Sequence, residues 1–367
     1  MEDGGGRRDK RDRMRGLIIG TAVGDALGLP GEGIGPSRAA RLFPGRPRHR
    51  LLPLPGGGRG MVSDDTEHTF FVAQCLLAHP DDPAAFARRL GWCLRWWLVG
   101  LPAGVGWATL RAILRLWIGM PPDRSGVWSA GNGPAMRVAA IGAVFEDDPD
   151  RIFPFVRAAT RITHTDPRAF TGALAVARTA VRAVRGDGPT ANWIEALRRE
   201  SDDPEWRHAV AEMERGLAAG LSVVEFAEGL RLEAGVTGYV FHTVPVALYA
   251  WARHFGDFES TVTAVLKSGG DTDTVGAIAG ALAGAGVGEA GIQADWRTGI
   301  LEWPRGLPVF REIADRLAEG PRAGREPVAY PVVGVVPRNL LFLTVILLHG
   351  LRRLLPPYGR GGREGPP

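Results

Sequence analysis

The segment Ser268-Gly269-Gly270-Asp271-Thr272-Asp273-Thr274-Val275-Gly276 and the Ala/Gly-rich run that follows it, Ala277 to Gly286, decide the fold of this 367-residue chain. Two Asp residues separated by one residue and flanked by Thr precede a helix, where they can direct several oxygen atoms to one point. The Gly pair lets another stretch of backbone approach closely. A helix of Ala and Gly has little side-chain bulk, so we expect it to pack very tightly against a neighbouring helix.

Most of the chain between residues 14 and 318 also has the apolar spacing of helices. Apolar residues recur at three- and four-residue steps, as in Leu110, Ile113, Leu114 and Trp117. The only β-branched run of note is Val332 to Val336. We therefore predict an all-α protein with helices at Thr66 to Ala78, Ala84 to Trp97, Gly106 to Ile118, Pro134 to Phe145, Pro167 to Val184, Glu205 to Ala219, Val240 to His254, Phe258 to Lys267 and Asp271 to Gly284.

The composition is that of an ordinary globular protein, with 45% hydrophobic and 23% charged residues. The formal net charge is +4, but much of the excess lies in two Arg-rich tails, Arg7 to Arg15 and Arg352 to Arg363. This distribution does not favour nucleic-acid binding. Cys75 and Cys93 lie in apolar, helix-like runs and form no CxxC pair, which predicts two buried free thiols in a reducing compartment.

The chain divides into one main domain and two terminal segments. Residues 1–13 carry no apolar signal sequence and are predicted to form a disordered basic tail. Residues 14–318 form the main all-α domain, and residues 319–367 a linker, a short apolar helix and a basic Pro/Gly tail. The apolar run Leu340 to Leu348 has about half of the ~20 residues that a bilayer span needs. We expect a buried or interfacial helix without a membrane span, and a cytoplasmic monomer.

Two acidic motifs precede the one quoted first. Asp25 lies inside a predicted buried helix and could make a hydrogen bond to a loop, whereas Glu32 follows a helix-ending turn and could be a solvated loop charge. The second motif, Ser63-Asp64-Asp65-Thr66-Glu67, fits a conventional helix start with a capping box. The same carboxylates and hydroxyl also suit a hard cation, which takes oxygen ligands.

Helix capping explains one such motif but not two that are some 200 residues apart. Helix N-termini attract anions, and several carboxylates packed together are costly unless cations neutralise them. Two clusters with a third acid therefore suggest two divalent ions about 3.5–4 Å apart, as in two-metal hydrolases. Because the candidate ligands are all oxygen atoms, Mg²⁺ or Mn²⁺ fits better than Zn²⁺.

Two further motifs suggest contacts to a substrate. Ser129-Ala130-Gly131-Asn132-Gly133 is predicted to open a helix, and the free N–H groups of a Gly-flanked helix N-terminus suit a phosphate. The alternative is an ordinary left-handed turn at Asn132. His164, in Thr163-His164-Thr165-Asp166-Pro167, lies between two helices and by default is a hydrogen-bonding loop residue.

In this order, the motifs resemble those of the ADP-ribosylglycohydrolase family, which includes the dinitrogenase-reductase-activating glycohydrolase and the ADP-ribosyl-acceptor hydrolases. The resemblance covers roughly residues 14–318 and rests on five motifs: Gly-Asp-Ala-Leu-Gly followed by Glu32, then Ser-Asp-Asp-Thr, Gly-Asn-Gly, Thr-His-Thr-Asp and Gly-Gly-Asp-Thr-Asp-Thr.

The resemblance implies a compact multi-helix orthogonal bundle with a binuclear Mg²⁺ or Mn²⁺ centre in a cleft. It implies substrate contacts from the diphosphate- and ribose-binding loop and from the histidine, namely Ser129, Gly131, Asn132, Gly133 and His164. It implies metal ligation by Glu32, Ser63, Asp64, Asp65, Asp271, Asp273 and Thr274.

The reaction implied is hydrolysis of the bond between ribose C1″ and an acceptor, with release of ADP-ribose from a modified protein or a small conjugate. Glu32 is the first candidate for the acid/base, followed by Asp65 and Asp273. Two alternatives stay open: a different two-metal phosphoesterase or nucleotide hydrolase, and a non-catalytic ADP-ribose-binding or structural member of the family. The sequence does not indicate the acceptor.

Overall fold

The computed structural model describes residues 3–54, 57–320 and 326–353, with side chains from residue 9 onward. The predicted all-α fold is confirmed, because these residues form helices and isolated β-bridges but no sheet. The α-helices are α1 (Asp3–Gly28), α2 (Pro36–Leu42), α3 (Asp64–Ala78), α4 (Pro83–Val99), α5 (Trp107–Trp117), α6 (Ala139–Val144), α7 (Ile152–Arg161), α8 (Pro167–Arg185), α9 (Ala191–Arg198), α10 (Pro204–Ala219), α11 (Val223–Gly229), α12 (Val240–Arg253), α13 (Phe258–Lys267), α14 (Thr272–Val287), α15 (Ala294–Thr298), α16 (Leu307–Ala318) and α17 (Val335–Arg352). Short 3₁₀ turns occur at Leu29–Gly31, Ala135–Arg137, Pro149–Arg151, Glu289–Gly291 and Val332–Gly334.

The closest helix pair in the fold is antiparallel α1 and α14. A glycine recurs every fourth residue on the facing surface of α1, and each faces the backbone of α14. A Cβ atom placed on Gly24 would lie 1.9 Å from the carbonyl oxygen of Gly276, and one on Gly16 would lie 2.1 Å from that of Gly284. No side chain fits at either position. The tight packing predicted for the Ala/Gly helix is therefore confirmed, with α1 as its partner.

The first helix begins earlier than the sequence predicts. We expected a disordered tail over residues 1–13, but α1 runs from Asp3, while Met1 and Glu2 lie outside the described residues. The charged residues of this segment pair across the fold: Lys10 Nζ lies 2.5 Å from Glu146 Oε1, and Arg11 bonds Glu319 Oε1 at 3.0 Å. Because these partners are distant in sequence, the local sequence pattern does not predict the ion pairs.

The C-terminal apolar segment is longer than predicted and packs on the main domain. Helix α17 covers 18 residues, and Phe342 and Val345 bury against Leu29, Leu51 and Met61. By length and composition alone, Val332–Arg352 is the one helix of the described chain that could cross a membrane. In the protein, 28% of its apolar 18-residue stretch is buried. Residues 321–325 of the predicted linker and the basic tail after Arg353 lie outside the described residues.

Candidate active site

The N-terminus of α3 is held by a carboxylate from α1. Asp25 is fully buried and accepts hydrogen bonds from the Ser63 amide at 2.9 Å, the Thr66 amide at 3.2 Å and the Thr66 hydroxyl at 2.5 Å. The helix-to-loop interpretation of Asp25 is confirmed. Asp25 lies one residue after Gly24, so the glycine contact with α14 also fixes the start of α3.

Side chains at the start of α3 and the start of α14 meet directly. Ser63 is the N-cap of α3, and its hydroxyl donates to Asp65 Oδ2 at 3.0 Å. The same carboxylate oxygen accepts from the Thr274 hydroxyl at 3.4 Å. Asp65 Oδ1 is buried and has no hydrogen-bond partner among the described residues. Capping alone therefore leaves a buried carboxylate oxygen unsatisfied, which is costly unless something else binds it.

Two loops bring Glu32 and Asp271 to the same place. Glu32 follows the 3₁₀ turn at the end of α1 and stays exposed at the opening of the cluster. The Gly33 amide donates to the Gly270 carbonyl and the Gly270 amide donates to the Ile34 carbonyl, each at 2.8 Å. These bonds join the Glu32 loop to the segment before Asp271. The predicted ligands Glu32, Ser63, Asp64, Asp65, Asp271, Asp273 and Thr274 thus share one end of the α1–α14 pair.

At this distance the acids shift one another's pKa values. Burial and the charge of Asp25 raise the pKa of Asp64 to about 8. Burial and the charge of Asp64 hold the pKa of Asp65 well above its usual range, and burial with the charges of Glu32 and Asp271 does the same for Asp273. Loss of hydration and the charge of Asp271 also raise the pKa of Glu32, against the opposing charge of Arg353.

The donor set fits a hard divalent cation, but the described side chains are not arranged as a ready-made site. No three of the described His, Cys, Asp or Glu residues converge as a metal-holding group. The raised pKa values and the unpartnered Asp65 Oδ1 nevertheless show a deficit of positive charge that a cation would correct. A cavity of about 460 Å³ nearby is lined by Gly28, Pro36 and Lys267 among others, and none of the predicted ligands lines it.

The predicted substrate loop adjoins the acidic cluster. Asn132 Nδ2 donates to Asp271 Oδ2 at 2.6 Å and to Thr243 Oγ1 at 3.0 Å. The Gly131 amide donates to Ser129 Oγ at 3.3 Å. The helix predicted over Pro134 to Phe145 is confirmed only in its second half, because a 3₁₀ turn at Ala135–Arg137 comes first and α6 starts only at Ala139.

The left-handed turn suggested at Asn132 is wrong, whereas the phosphate-binding interpretation of the Gly-Asn-Gly loop stays a prediction. Asn132 is absent from the described non-glycine residues with positive φ, so there is no left-handed turn. The glycines instead make room for a histidine: a Cβ on Gly131 would lie 3.0 Å from His164 Nε2, and one on Gly133 would lie 3.2 Å from His164 Cε1. The loop and His164 therefore pack as one unit beside Asp271.

His164 has a lowered pKa and is linked through Thr163 to the buried Arg137. Burial and the nearby Arg137 lower the pKa of His164 to about 3. Its Nδ1 lies 2.9 Å from Thr163 Oγ1, which also accepts a 2.6 Å hydrogen bond from Arg137 Nη2. Burial lowers the pKa of Arg137 itself to about 9, while the charge of Asp64 opposes that shift.

Arg137 and His68 are parts of the site that the sequence interpretation missed. Both are fully buried, and Arg137 Nη1 lies 3.4 Å from His68 Nδ1. Within the part of the chain that the structure describes, His68 Nε2 has no hydrogen-bond partner. The available signal was weak: an Arg on the apolar side of a predicted helix, and a His one turn after the Asp64-Asp65 pair.

Glu67 does not complete a capping box. Its carboxylate bonds the Arg305 guanidinium and accepts from Trp97 Nε1 at 2.6 Å, and all three side chains are buried. Arg338 of α17 lies beside this pair and bonds Glu302 Oε2 at 2.6 Å. The last residue of this acidic motif, Glu67, therefore ties α3 to the C-terminal part of the chain, away from the cluster.

The model of the ADP-ribosylglycohydrolase family, whose fold is all-α like this one, matches residues 6–327, so the chain belongs to this family. It is 35% identical over 280 residues to an uncharacterised protein of Archaeoglobus fulgidus, covering 75% of this chain and 87% of that one. It is 28% identical to the ADP-ribosyl-[dinitrogen reductase] glycohydrolase of Rhodospirillum rubrum, covering 78% of this chain and 89% of that one.

A further relative and a solved structure are also similar to this chain. The chain is 26% identical to the ADP-ribosylhydrolase ARH3 of Gallus gallus, with 77% of this chain and 88% of that one covered. A solved structure described as an ADP-ribosylglycohydrolase-related protein complex superposes with a TM-score of 0.66 at 30% identity, over 86% of this chain and 99% of that one. The family match ends before α17, which lies outside it.

Proposed function

We propose that this protein is a metal-dependent hydrolase that cleaves the ribose C1″ glycosidic bond of an ADP-ribosylated protein or a small ADP-ribose conjugate. One observation carries the proposal: within the described part of the chain the buried Asp65 Oδ1 lacks a hydrogen-bond partner, while burial and the charges of Asp64, Asp25 and Asp271 raise the pKa of Asp65. The loop that packs on His164 adjoins this cluster through the hydrogen bond from Asn132 to Asp271. Relatives named as ADP-ribosyl hydrolases support the substrate class.

Two Mg²⁺ or Mn²⁺ ions are proposed as the cofactors. Glu32, Ser63, Asp64, Asp65, Asp271, Asp273 and Thr274 would hold them. When bound, the ions would neutralise the clustered carboxylates and make a water molecule easier to deprotonate. The all-oxygen donor set favours these hard ions over Zn²⁺.

Glu32 is proposed as the residue that moves protons. Its carboxylate is the exposed one at the opening of the cluster, so it can reach both solvent and a bound sugar. Its raised pKa brings proton exchange closer to neutral pH, which suits a general acid/base. Asp65 and Asp273 are weaker candidates because their side chains are buried and face other acids.

The neighbouring loop is proposed to hold the ADP-ribose. Ser129 to Gly133 is half-buried and therefore open to a ligand on one side. Because its low pKa keeps His164 uncharged at neutral pH, its ring can either donate a hydrogen bond to a ribose hydroxyl or accept one from it. Asn132 fixes the position of Asp271 relative to that loop.

The decisive experiment offers the protein, with Mg²⁺ or Mn²⁺, a panel of defined ADP-ribosyl linkages through arginine, serine, O-acetyl and nucleic-acid acceptors. Free ADP-ribose as the product supports the proposal, and the linkage that turns over identifies the acceptor. Inorganic phosphate or AMP would indicate a phosphoesterase or nucleotide hydrolase instead. Calorimetric binding of ADP-ribose without turnover of any linkage would indicate a non-catalytic binding protein.

A further inference from the structure

The polarity of α17 is inverted relative to a helix that faces water. The polar side chains Arg338, Asn339 and His349 are buried on its inner side. Arg338 bonds Glu302, and Asn339 Nδ2 donates to the Gly100 carbonyl at 2.7 Å. Its outward side is apolar and about half exposed or more, from Leu340 at 49% to Leu347 at 60% and Leu351 at 62%. A helix against water normally has the opposite arrangement.

A second apolar region lies next to the start of α17. Trp92 and Trp96 of α4 are each half exposed, and their rings are 5.6 Å apart. They line a groove together with Val332 and Val335. We call Trp92, Trp96, Val332, Leu340, Leu347 and Leu351 the apolar face. Exposed apolar patches of this kind mark interaction sites.

Arginines cluster at the other end of α17, beside the loop that carries the exposed Glu32. Arg352 and Arg353 end the helix, and exposed Arg38 of α2 donates to the Arg353 carbonyl at 3.1 Å. Residues 335–352 contain no Asp or Glu. The sequence adds Arg360 and Arg363 beyond the described residues. Clustered arginines beside an apolar helix attract anionic lipid headgroups, and tryptophan favours the membrane–water interface.

We infer that the apolar face docks on the surface of an anionic phospholipid bilayer, with α17 lying in the plane of the interface. The inward hydrogen bonds of α17 distinguish this arrangement from a membrane span. Insertion across the bilayer would strip Arg338 from Glu302 and leave a charge in hydrocarbon. A second copy of the chain would bring the same arginines, with no acidic residue on α17 to pair with them.

Docking of this kind would place the acidic cluster at the membrane. Arg353 Nη2 donates to the Pro30 carbonyl at 2.7 Å, and Arg353 Nη1 donates to the Glu32 carbonyl at 2.8 Å. His349 Nε2 lies 3.2 Å from the same Pro30 oxygen. The end of α17 thus touches the loop that carries Glu32, and the opening of the cluster would lie within reach of groups presented at the bilayer.

The experiment uses the full chain with phosphatidylcholine vesicles, made with and without phosphatidylglycerol, in a flotation assay. We expect flotation with the anionic vesicles, with a blue shift of tryptophan emission, and weaker binding at high salt. The double variant Leu347→Glu/Leu351→Glu should lose at least about ten-fold in vesicle affinity, because it places two charges where apolar side chains would enter the bilayer. The matched control Leu221→Glu/Phe255→Glu alters two exposed apolar residues on other elements and should bind like the wild type.

Four results would overturn the inference. The first is that the protein floats with neither type of vesicle. The second is that the two double variants float equally well. The third is a lipid-free dimer in sedimentation that only Leu347→Glu/Leu351→Glu dissociates, which would assign the face to a second copy. The last is resistance to alkaline carbonate extraction from expressing cells, which would show a true span. Thermal unfolding of both double variants checks that each is folded.

Discussion

The Asn132 amide nitrogen Nδ2 lies 2.6 Å from Asp271 Oδ2, and this hydrogen bond joins the proposed substrate loop to the proposed metal ligands. The same amide donates to Thr243 Oγ1 at 3.0 Å, so Asn132 is held from two sides. A shift of the Gly131 to Gly133 loop would therefore move Asp271, the residue that precedes α14.

Removing this bridge should weaken ligand binding. Asn132→Ala deletes a hydrogen bond to a charged group, which is worth about 1.5–3 kcal/mol. We expect ADP-ribose affinity, measured by calorimetry with Mg²⁺ present, to fall at least about ten-fold. The control Thr243→Ser keeps the hydroxyl that accepts from Asn132 and should stay within about two-fold of wild type. Unchanged affinity in Asn132→Ala would show that the contact does not support the ligand site.

Glu32→Gln should separate folding from catalysis. The side chain is exposed, so an isosteric amide should leave the melting temperature nearly unchanged. Loss of a general acid/base should reduce release of ADP-ribose by about 10²–10⁴-fold. Glu228→Gln, an exposed Glu on α11, is the matched control and should be fully active. Wild-type turnover by Glu32→Gln would remove Glu32 from the acid/base role.

The stability of the metal-free protein should fall as the pH rises. Burial raises the pKa of Asp25 from an ordinary 3.8 to about 6, and that of Asp64 to about 8. In these pH windows the folded protein binds protons that the unfolded chain has released, so a rising pH favours unfolding. For Asp25 the loss is on the order of 3 kcal/mol, complete above the folded pKa.

Mg²⁺ should reverse this loss. Metal ions bind deprotonated carboxylates, so the rise in melting temperature on adding Mg²⁺ should be larger at pH 8 than at pH 5.5. Differential scanning fluorimetry at both pH values measures it. The double variant Asp65→Asn/Asp273→Asn should be less sensitive to pH and should lose the Mg²⁺ response. An equal Mg²⁺ response in that variant would contradict a metal site at the cluster.

Gly24→Ala should disrupt the α1–α14 contact. The new Cβ would lie 1.9 Å from the Gly276 carbonyl oxygen, so one helix must move and take Asp25 with it. We expect a loss of ~3 kcal/mol or more, and a melting temperature lower by about 10 °C. The matched control Gly286→Ala lies in the same pair, but its nearest neighbour is 4.0 Å away, so it should be neutral or stabilising by up to ~1 kcal/mol. Equal melting temperatures for the two variants would refute the close-contact argument.

The sequence predicts the helices and the acidic clusters because both depend on local pattern. Apolar spacing gave α3, α4, α5, α8 and α12 within a few residues of their bounds. The Ala/Gly run correctly indicated a tight helix contact, although only the structure identifies α1 as the partner.

What the sequence could not predict depends on contacts between distant residues. Glu67 fits a capping box locally, yet a buried pair with Arg305 removes it from that position. The Gly-Asn-Gly loop looks like a helix start, but its glycines accommodate the His164 ring. Lys10 and Arg11 look like a solvated tail until their partners Glu146 and Glu319 are known. In each case the energetic reason lies in a residue far away in the chain.

The α1–α14 pair has a consequence for how the protein is made. It brings residues 16–28 against residues 272–284, so the chain must close a loop of nearly the whole domain before those glycines meet. Contacts so far apart in sequence slow folding. A nascent chain that has not yet released α14 from the ribosome has Glu32, Asp64 and Asp65 available but lacks Asp271 and Asp273. Hydrolase activity is therefore a property of the finished polypeptide, and translational pausing before residue 288 should yield no active intermediate.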